Sequence, residues 1–460
     1  MQAKTVLHKC IIGAFWLLLW QIAAMIVDSK LLLPGPVDTV RALGGLVVQG
    51  SFYHDILATV WRCAAAIVLA LAFGLVLALV SYRWRVVREV LSLPVAFFKA
   101  VPIMAVAIYM LFLLAAGNVP ILVCFIMCFP IVYTNLLAGL DSMDPQYLEL
   151  AKIYRLPGSR ILRHIYWPQM FPYFRSALSL IAGMSWKAVV TAEVLSVPKF
   201  SLGYELMNAK YYLETERLFA YVITIVVISV LFERLIRAIL QRQEVRPYEG
   251  SRIRGSKQET HADNAAPAVY IRDLSKVFGT KTVLKDFSLD IPAGEVTALM
   301  APSGWGKTTL VRILTGLETA DSGSVQTEPE SSGMSILFQE DRLLPWLTIY
   351  DNLALVQQCP DPDRIRSLLD AVGLASEQSK LPGQLSGGMN HRAALARTFL
   401  NGAELLIFDE PFRGLDETTR ESVIDRLWRP ESTGKTVLLI THDPDIAELL
   451  ADRVVTAGDA

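Results

Sequence analysis

Residues 301–309, APSGWGKTT, combine glycines, a lysine and hydroxyl groups in nearly the spacing of a phosphate-binding loop, G-x-x-x-x-G-K-[ST]. Backbone N–H groups can hold phosphates there, Lys307 can reach the β- and γ-phosphate oxygens, and the Thr308 hydroxyl can bind Mg²⁺. Ala301 replaces the first glycine, which costs about 1 kcal/mol only where the position requires a glycine conformation. The loop therefore predicts a site for ATP and Mg²⁺. Its predicted ATP-binding residues are Ser303, Gly304, Trp305, Gly306, Lys307, Thr308 and Thr309.

Further polar side chains follow at the ends of two apolar runs. The run LLIFDEP, residues 405–411, ends in Asp409 and Glu410, and LLITHD, residues 438–443, ends in His442. Asp409 can hold Mg²⁺ through water, and Glu410 can polarise the attacking water. His442 can contact the γ-phosphate. These side chains predict hydrolysis of the bound nucleotide.

A second candidate phosphate site lies between these motifs. In LSGGMNHRAALAR, residues 385–397, a serine-glycine-glycine turn begins a helix whose N–H groups suit an anion. Because the first loop already holds the phosphates of its own subunit, the surplus site makes sense if it contacts the nucleotide of a second subunit. The residues of this predicted site are Ser386, Gly387, Gly388 and Met389.

The elements that must position these residues form an α/β domain predicted over 268–460. Short β-rich runs alternate with helical ones there, which indicates a largely parallel sheet. EVTALM, residues 295–300, is a predicted buried strand and TTLVRILTGL, residues 308–317, a predicted helix, so the phosphate loop lies between strand and helix as it must. Residues 244–267 are polar and charged, which predicts a flexible linker.

The first half of the chain differs in character. With 53% hydrophobic and 19% charged residues, the 460-residue chain is too apolar for an ordinary soluble protein. Its apolar runs reach roughly the 20 residues that cross a bilayer and predict a transmembrane domain over 1–243. The formal net charge of −1 gives no case for a nucleic acid partner. The predicted spans are 10–27, 57–81, 91–114, 119–140, 176–197 and 217–240.

Basic residues next to these spans fall on one side of the alternating path, which places both termini in the cytoplasm. Trp16, Trp20 and the continuous apolar run favour an uncleaved first span over a signal peptide. The five cysteines are scattered and odd in number, which indicates a reducing compartment without disulfides. Cys124 and Cys128 share a helix face, where packing is favoured over a metal or redox pair.

The predicted cytoplasmic loop between the fourth and fifth spans, residues 144–174, has a recognisable pattern. It resembles the coupling loop of binding-protein-dependent ABC importers, whose pattern is E-A-A, a glycine, then I-x-L-P. Glu149 and Ala151 match, whereas Arg155 stands where the glycine is expected. The resemblance implies that this loop transmits movement from the ATPase to the spans, and the lost glycine puts its backbone course in question.

Longer stretches carry a wider resemblance. HDILATVWRC (54–63), residues 201–237 and FQEDRLLPW (338–346) resemble the nitrate/sulfonate/taurine family of ABC importers. The resemblance implies six transmembrane helices of the type I importer arrangement, followed by an α/β P-loop ABC ATPase. It also implies that Phe278 stacks on adenine and that Asp416 lies in the D-loop. Gln339 would sense the γ-phosphate and join Thr308 and Asp409 at Mg²⁺. Asn390 and His391 stand where arginine and glutamine are frequent in the family.

Two ionisable residues, Lys187 and Glu193, lie within the fifth predicted span, where such groups are costly and mark function by default. In one interpretation Lys187 attracts an anion in transit and Glu193 shapes the outer gate. In the other, the two form structural ion pairs or hydrogen bonds between helices. The sequence leaves both open.

Together these features predict an ATP-driven importer subunit in the bacterial cytoplasmic membrane. One chain carries one permease and one ATPase domain, so a homodimer completes the pathway and two composite ATP sites. By resemblance, an extracytoplasmic binding protein delivers a nitrate-, sulfonate- or taurine-like anion. The alternatives are import of a pyrimidine, an ABC exporter, and a membrane-anchored regulatory ATPase. Short outer loops and the coupling-loop pattern oppose the exporter.

Overall fold

A computed structural model describes residues 2–29, 31–244, 266–302, 304–329 and 333–457. Ser303 and most of the predicted linker at 244–267 lie outside the described residues. The chain divides into a helical unit, Met1–Met143 with Gln169–Val245, and an α/β unit, Asp144–Pro168 with Arg246–Ala460. Residues 144–168, most of the predicted coupling loop, thus belong to the same compact unit as the ATPase motifs.

Long apolar helices make up the helical unit. Its helices, including the one that begins just before Gln169, are Gln2–Val27, Pro36–Val47, Gly50–Arg83, Arg85–Ala100, Ile103–Met110, Val119–Asp141, Trp167–Ser196, Leu202–Tyr211 and Thr215–Glu244. Within the described residues, four helical stretches are long and apolar enough to cross a membrane: Gly50–Arg83, Val119–Asp141, Gly158–Ser196 and Thr215–Leu240. They contain the second, fourth and sixth predicted spans and all but the last residue of the fifth.

The other two predicted spans differ from expectation. The third, at 91–114, is not one straight helix, because Arg85–Ala100 and Ile103–Met110 meet at 100°. Pro102 lies at this break; proline lacks an N–H donor and disfavours helical backbone at the preceding residue. The first span falls on a shorter apolar stretch, Ile11–Val27. Among the described residues there are therefore four long spans, or five if the bent pair counts as one.

Close helix packing in this unit depends on small residues. A Cβ on Gly74 would lie 2.5 Å from Cγ1 of Val132, so the helices that carry these residues approach at a distance only glycine allows. Cys124 and Cys128 are buried and free, and the Cys124 sulfur lies 3.6 Å from the Ser185 carbonyl oxygen. Small side chains thus occupy these helix contacts.

The α/β unit contains two sheets. An antiparallel sheet has the order β2-β1-β4, and a parallel sheet has the order β5-β6-β7-β3-β8. The strands are β1 Ala268–Phe278, β2 Lys281–Ile291, β3 Val296–Met300, β4 Ser322–Glu328, β5 Met334–Leu337, β6 Leu405–Asp409, β7 Thr436–Thr441 and β8 Arg453–Thr456. Every residue of β6 and β7 is buried, as central strands of a covered parallel sheet require.

Strand order brings the chemically active residues to one edge of the parallel sheet. β7 pairs with both β3 and β6, with Met300 opposite Thr441 and Asp409 opposite Ile440. All three strands run the same way, so the residues that follow them emerge side by side. The phosphate loop, the two carboxylates and His442 are therefore neighbours in the fold.

Helices cover the parallel sheet and fix its motifs. Phe399 near the end of helix Gly387–Leu400 packs on Phe408 of β6, with ring centroids 5.1 Å apart. This contact holds the predicted signature helix against the strand that ends in Asp409. The other helices of the unit are Pro145–Ile153, Gly158–Arg160, Ile161–Tyr166, Lys307–Leu314, Ile349–Ala354, Pro362–Ala371, Ala375–Glu377, Pro382–Gln384, Glu417–Val423, Ile424–Trp428, Arg429–Ser432 and Pro444–Leu450.

Candidate active site

A cleft of about 310 Å³ lies at the edge of the parallel sheet where β3 and β6 end. The fold thus assembles in one place residues that the sequence separates by about a hundred positions. The residues that line the cleft are Gly304, Gly306, Lys307, Thr308, Thr309, Gln339, Asp409 and Glu410.

The phosphate loop has the backbone that glycine permits. Gly304 has φ of 81° and Gly306 of 116°, and a Cβ on Gly306 would lie 3.0 Å from the Val283 carbonyl oxygen. Both glycines are therefore required by conformation, and Gly306 also by space. Ala301 is buried and is not among the described residues with positive φ. Because Ala301 does not adopt a left-handed conformation, replacing the first glycine of the motif by alanine carries no conformational free-energy cost here.

Lys307 is the first residue of helix Lys307–Leu314, and its ammonium points back across the loop. Its Nζ donates to the Ala301 carbonyl oxygen at 3.2 Å and lies 3.4 Å from Oε1 of Glu410. The same carboxylate oxygen lies 3.0 Å from Nδ1 of His442. Glu410 has φ of 56°, a costly conformation for a residue with a side chain, and its N–H donates to the Ile440 carbonyl oxygen. Two residues predicted for hydrolysis, Glu410 and His442, are therefore in contact with each other and with the predicted ATP-binding residue Lys307.

Asp409 is buried beside Glu410. Burial, together with the neighbouring negative charge of Glu410, raises the pKa of Asp409 to about 6, although Lys307 and Arg413 oppose the shift. A cation at this place would favour the charged carboxylate.

The cleft offers oxygen ligands of the kind that Mg²⁺ prefers: the Thr308 hydroxyl, the Gln339 amide oxygen and the Asp409 carboxylate. The described part of the chain has no cluster of three or more His, Cys, Asp or Glu that could hold a metal. Phosphate oxygens and water would therefore complete the coordination, as Mg²⁺ sites beside nucleotides usually require. The residues present fit this ion.

Two predicted ATP-binding side chains lie outside the cleft lining. Phe278, at the end of β1, is 48% exposed, and the Lys276 ammonium lies 5.1 Å from its ring centroid. The Trp305 ring packs edge-on against Phe287, with centroids 4.9 Å apart. Trp305 therefore anchors the loop to β2 through its side chain.

The predicted signature residues are positioned separately. Ser386 caps helix Gly387–Leu400, with its hydroxyl accepting from the Met389 N–H at 3.3 Å. Among the described residues lining the cleft, none comes from 386–389. The helix start does not line the described part of this cleft.

Asp416, predicted for the D-loop, caps helix Glu417–Val423. Hydrogen bonds from the Thr418 hydroxyl and the Thr419 N–H lower the pKa of Asp416 to about 2. Asp416 therefore remains charged and fixed at neutral pH.

In the α/β unit, Glu149 of the coupling helix Pro145–Ile153 makes two ion pairs. Its carboxylate accepts from Arg312 at 2.7 Å and from Arg342 at 2.9 Å. Burial alone would raise the pKa of Glu149, but the two arginines outweigh it and hold the pKa below its usual value. Arg312 lies in the helix that follows the phosphate loop, and Arg342 lies three residues after Gln339. The sequence did not identify either partner, because their proximity arises only in the folded chain.

The backbone at Arg155, where the family pattern has a glycine, shows how the predicted coupling loop turns. Arg155 has φ of 49°, so it adopts the left-handed conformation that a helix-ending glycine would have. The Leu156 N–H donates to the Ala151 carbonyl oxygen at 2.9 Å and closes the helix end. Ala151 itself is buried. The turn is thus kept despite the substitution, at a cost of about 1–2 kcal/mol for a left-handed residue with a Cβ.

In the helical unit, Glu193 is fully buried and hydrogen-bonded. It accepts from Arg62 at 2.8 Å, Thr59 at 3.0 Å and the Gly203 N–H at 3.3 Å. The partner Arg62 was not singled out from the sequence. Lys187, on the same helix, is exposed, whereas its neighbour Trp186 is buried. The two ionisable residues of this span therefore have different surroundings.

Both parts of the chain are similar to known proteins. The family model "ABC transporter" matches residues 284–413, and "Binding-protein-dependent transport system inner membrane component" matches 40–245. The aliphatic sulfonates import ATP-binding protein SsuB 1 of Paracoccus denitrificans is 46% identical over 198 residues, 42% of this chain and 81% of that protein. SsuB 2 of Streptomyces avermitilis is 45% identical over 202 residues, 43% of this chain and 79% of that protein.

Among solved structures, a post-hydrolysis dimer of the ATP-binding cassette MJ0796 bound to ADP and Pi is 27% identical, with a TM-score of 0.37. That similarity covers 41% of this chain and 93% of the cassette chain.

A P-loop cleft with this residue set, in a chain that also has a permease domain, defines an ABC transporter that couples ATP hydrolysis to transport. The protein is a multi-pass component of the cytoplasmic membrane with its ATPase domain in the cytoplasm. The predicted helical permease domain followed by an α/β P-loop ABC ATPase domain is confirmed. Within that class, the chain belongs to the nitrate/sulfonate/taurine import family, with permease and ATPase fused.

Proposed function

We propose that two copies of this chain import a small sulfonate-like anion that a separate extracytoplasmic binding protein delivers. The observation that carries the proposal is the pair of contacts from Glu149 to Arg312 and Arg342. They tie the predicted coupling loop to the helix that follows the phosphate loop and to the segment that follows Gln339. The substrate class is supported by the names of the relatives, which are import proteins for aliphatic sulfonates.

For hydrolysis, we assign Glu410 to orienting and polarising the attacking water and His442 to contacting the γ-phosphate. Their 3.0 Å contact supports a joint role. Lys307 now pairs with Glu410, so phosphates that enter the cleft would compete for its ammonium and release the carboxylate. Thr308, Gln339 and Asp409 would hold Mg²⁺, which supplies positive charge to the phosphate oxygens during transfer.

We assign Phe278 to stacking on adenine, because its ring is half exposed and therefore open to stacking. The phosphate contacts fall to the loop backbone at Gly304, Trp305 and Gly306 and to Thr309. Ser303, outside the described residues, stays a predicted member of this loop. The cleft lining supports the assignments of Gly304, Gly306 and Thr309, and the family pattern supports the others.

Dimerisation follows from the separation of the signature residues from the cleft of their own chain. The helix start at Ser386, Gly387 and Gly388 presents N–H groups that suit a phosphate. In a two-fold dimer each copy would supply this surface to the nucleotide of the other, and Asp416 would lie in the same composite interface. The second permease domain would complete the transport path.

Within the permease, we assign Lys187 to the path. An exposed lysine inside a membrane span is costly against lipid, so it faces water or another protein surface. A positive charge there attracts a sulfonate. Glu193 has its charge matched by Arg62, so we assign it to holding the spans and the loop before Gly203 together at the outer end of the path.

The test is ATP-dependent uptake into cells that express this chain with its binding protein. Labelled taurine, an alkanesulfonate, nitrate and an aminopyrimidine are compared, with Glu410→Gln as the inactive control. We expect sulfonate uptake that disappears in the control and falls about tenfold or more in Lys187→Gln. The matched variant Lys99→Gln, at another exposed lysine, should keep uptake.

Uptake of the pyrimidine alone would replace the substrate class while leaving the importer. Efflux without uptake would contradict import. Equal uptake by Lys187→Gln and the unchanged chain would remove Lys187 from the path.

A further inference from the structure

The signature helix Gly387–Leu400 contains a buried histidine, His391, that the ATPase mechanism above does not use. Its Nδ1 lies 2.7 Å from Oδ1 of Asp341, and its Nε2 lies 2.9 Å from the Pro411 carbonyl oxygen. The ring therefore bridges two segments that are 70 residues apart in sequence. The family more often has glutamine at this position.

Both contacts of His391 are made to oxygen atoms that accept hydrogen bonds, which restricts where the ring carries its protons. A carbonyl oxygen only accepts hydrogen bonds, so Nε2 carries the proton that it donates to Pro411. The Asp341 carboxylate also accepts, and the 2.7 Å contact is satisfied when Nδ1 donates to it. Only the imidazolium form has an N–H on both nitrogens and can donate to both partners, and its rigid ring holds the two nitrogens at a fixed separation and direction. A glutamine side chain at this position has both of its N–H donors on one nitrogen, so it does not reproduce two donors on separate ring atoms.

Both bridged segments lead directly into the ATP cleft. Asp341 lies two residues after Gln339, and Pro411 follows Glu410. Gln339 and Glu410 line the cleft, whereas neither His391 nor Asp341 is among the described residues that do. His391 thus acts on the cleft only through the backbone of its neighbours.

A second residue of the same helix holds the same segment. Arg397 is 2% exposed and donates to the carbonyl oxygens of Asp341 at 2.7 Å and Arg342 at 2.9 Å. The segment after Gln339 is therefore fixed to the signature helix at two points. Only the histidine also reaches the segment after Glu410.

We propose that His391 is a positioning residue that sets the distance between Gln339 and Glu410, and thereby the rate of hydrolysis without changing ATP binding. The proposal rests on the roles assigned to these two residues under the proposed function. The bridge matters because Glu410 has a strained backbone and its orientation needs support from outside the cleft. Small displacements of such a group lower the rate of the chemical step steeply.

The experiment uses the full-length chain in lipid nanodiscs and measures kcat, KM for ATP, the dissociation constant of a fluorescent ATP analogue, and Tm. The variants are His391→Ala, His391→Gln, Asp341→Ala and the double alanine variant. Asn390→Ala is the matched control, because Asn390 is the adjacent residue and donates to the Pro382 carbonyl oxygen instead.

We expect His391→Ala to lower kcat about tenfold while KM and nucleotide affinity change less than about twofold. His391→Gln keeps one donor and should recover part of the loss. Adding Asp341→Ala to His391→Ala should cost little more, because both remove the same bridge. Asn390→Ala should keep kcat.

A merely structural histidine would give another pattern. Loss of Tm and nucleotide affinity with an unchanged kcat for the folded fraction would overturn the proposal. Additive effects of His391→Ala and Asp341→Ala on kcat would also contradict it. Hydrolysis is measured without transported solute, so the substrate assignment does not enter. Full hydrolysis by Glu410→Gln would instead contradict the assigned role of Glu410.

Discussion

At the scale of single residues, Glu410 is the centre of the cleft. One of its oxygens lies within 3.4 Å of the Lys307 ammonium and 3.0 Å of the His442 ring. Two hydrogen-bonding partners on one oxygen orient the carboxylate, which suits a group that polarises water. The Lys307 ammonium also donates to the Ala301 carbonyl oxygen, so it has two partners in the cleft without a nucleotide.

Replacing this carboxylate should separate binding from chemistry. Glu410→Gln keeps the size of the side chain but loses the charge, so hydrolysis should fall about 10²–10⁴-fold while ATP affinity is kept. Single-turnover hydrolysis and nucleotide binding on the purified chain measure the two effects. Asp425→Asn, at an exposed carboxylate paired with Arg429, is the matched control and should retain activity. Hydrolysis at the unchanged rate would remove Glu410 from the chemical step.

Much of the site could be predicted from the sequence because its motifs are local. The glycines of the phosphate loop and the carboxylates after β6 each lie within a few residues of one another. What could not be predicted depends on partners distant in sequence. Arg62 beside Glu193 and Arg342 beside Glu149 are such cases, because a charged residue gives no sign of which opposite charge it will meet.

The third predicted span shows a different limit. Its apolar content was sufficient to predict a membrane helix, but hydropathy does not show whether the helix axis is straight or bent. Pro102 was visible in the sequence, yet proline within an apolar run is compatible with a kinked span or with a sharp break. The structure has the break, with a bend of 100°.

At the scale of elements, the coupling helix is fixed to the α/β unit by more than one contact. Besides the two ion pairs of Glu149, the Lys152 ammonium donates to the Gly316 carbonyl oxygen at 2.6 Å. The Tyr154 hydroxyl donates to the Ile336 carbonyl oxygen at 3.3 Å. The contacts reach the helix after the phosphate loop and strand β5, so a change at the cleft has a direct route to the coupling helix.

Removing the central carboxylate should therefore weaken coupling more than hydrolysis. In Glu149→Ala, stimulation of hydrolysis by the loaded binding protein should fall about tenfold, whereas basal hydrolysis should persist. ATPase assays in proteoliposomes, with and without the binding protein, measure both. Gln146→Ala, on the same helix, is the matched control. Equal loss in both variants would show that the helix, and not the ion pairs, transmits the signal.

The same ion pairs have a defined pH dependence. Folding lowers the pKa of Glu149, so the ion pairs contribute their full stabilisation at every pH above the pKa that Glu149 has in the unfolded chain. This stabilisation is lost only as the pH falls through the lowered pKa of the folded protein. Between about pH 6 and 8 the carboxylate stays charged. Titration of Glu149 should therefore cause no change, in this pH range, in the stimulation of ATP hydrolysis by the binding protein.

At the scale of the whole molecule, each ATP site is proposed to draw on two copies of the chain. This can be tested with mixed dimers of one copy carrying Lys307→Ala and another carrying Gly388→Asp. Each defect alone inactivates both sites of a homodimer. In the mixed dimer both defects fall in one composite site, and the other site is intact, so hydrolysis should return. Assays on tandem-tagged, co-purified mixed dimers measure this.

Control preparations of each single variant should be inactive. If each site were confined to one chain, the mixed dimer would have a defect in both, and no hydrolysis would return. That outcome would contradict the composite arrangement.

The covalent joining of permease and ATPase also affects a cell that contains several transporters of this kind. A tethered domain is held near its partner at an effective concentration in the millimolar range, far above that of free competitors. An ATPase subunit belonging to another transporter therefore cannot readily displace the fused domain. In the proposed homodimer, each substitution in this gene also enters both halves at once, so the ion pairs of Glu149 and the bridge of His391 are inherited as one matched set.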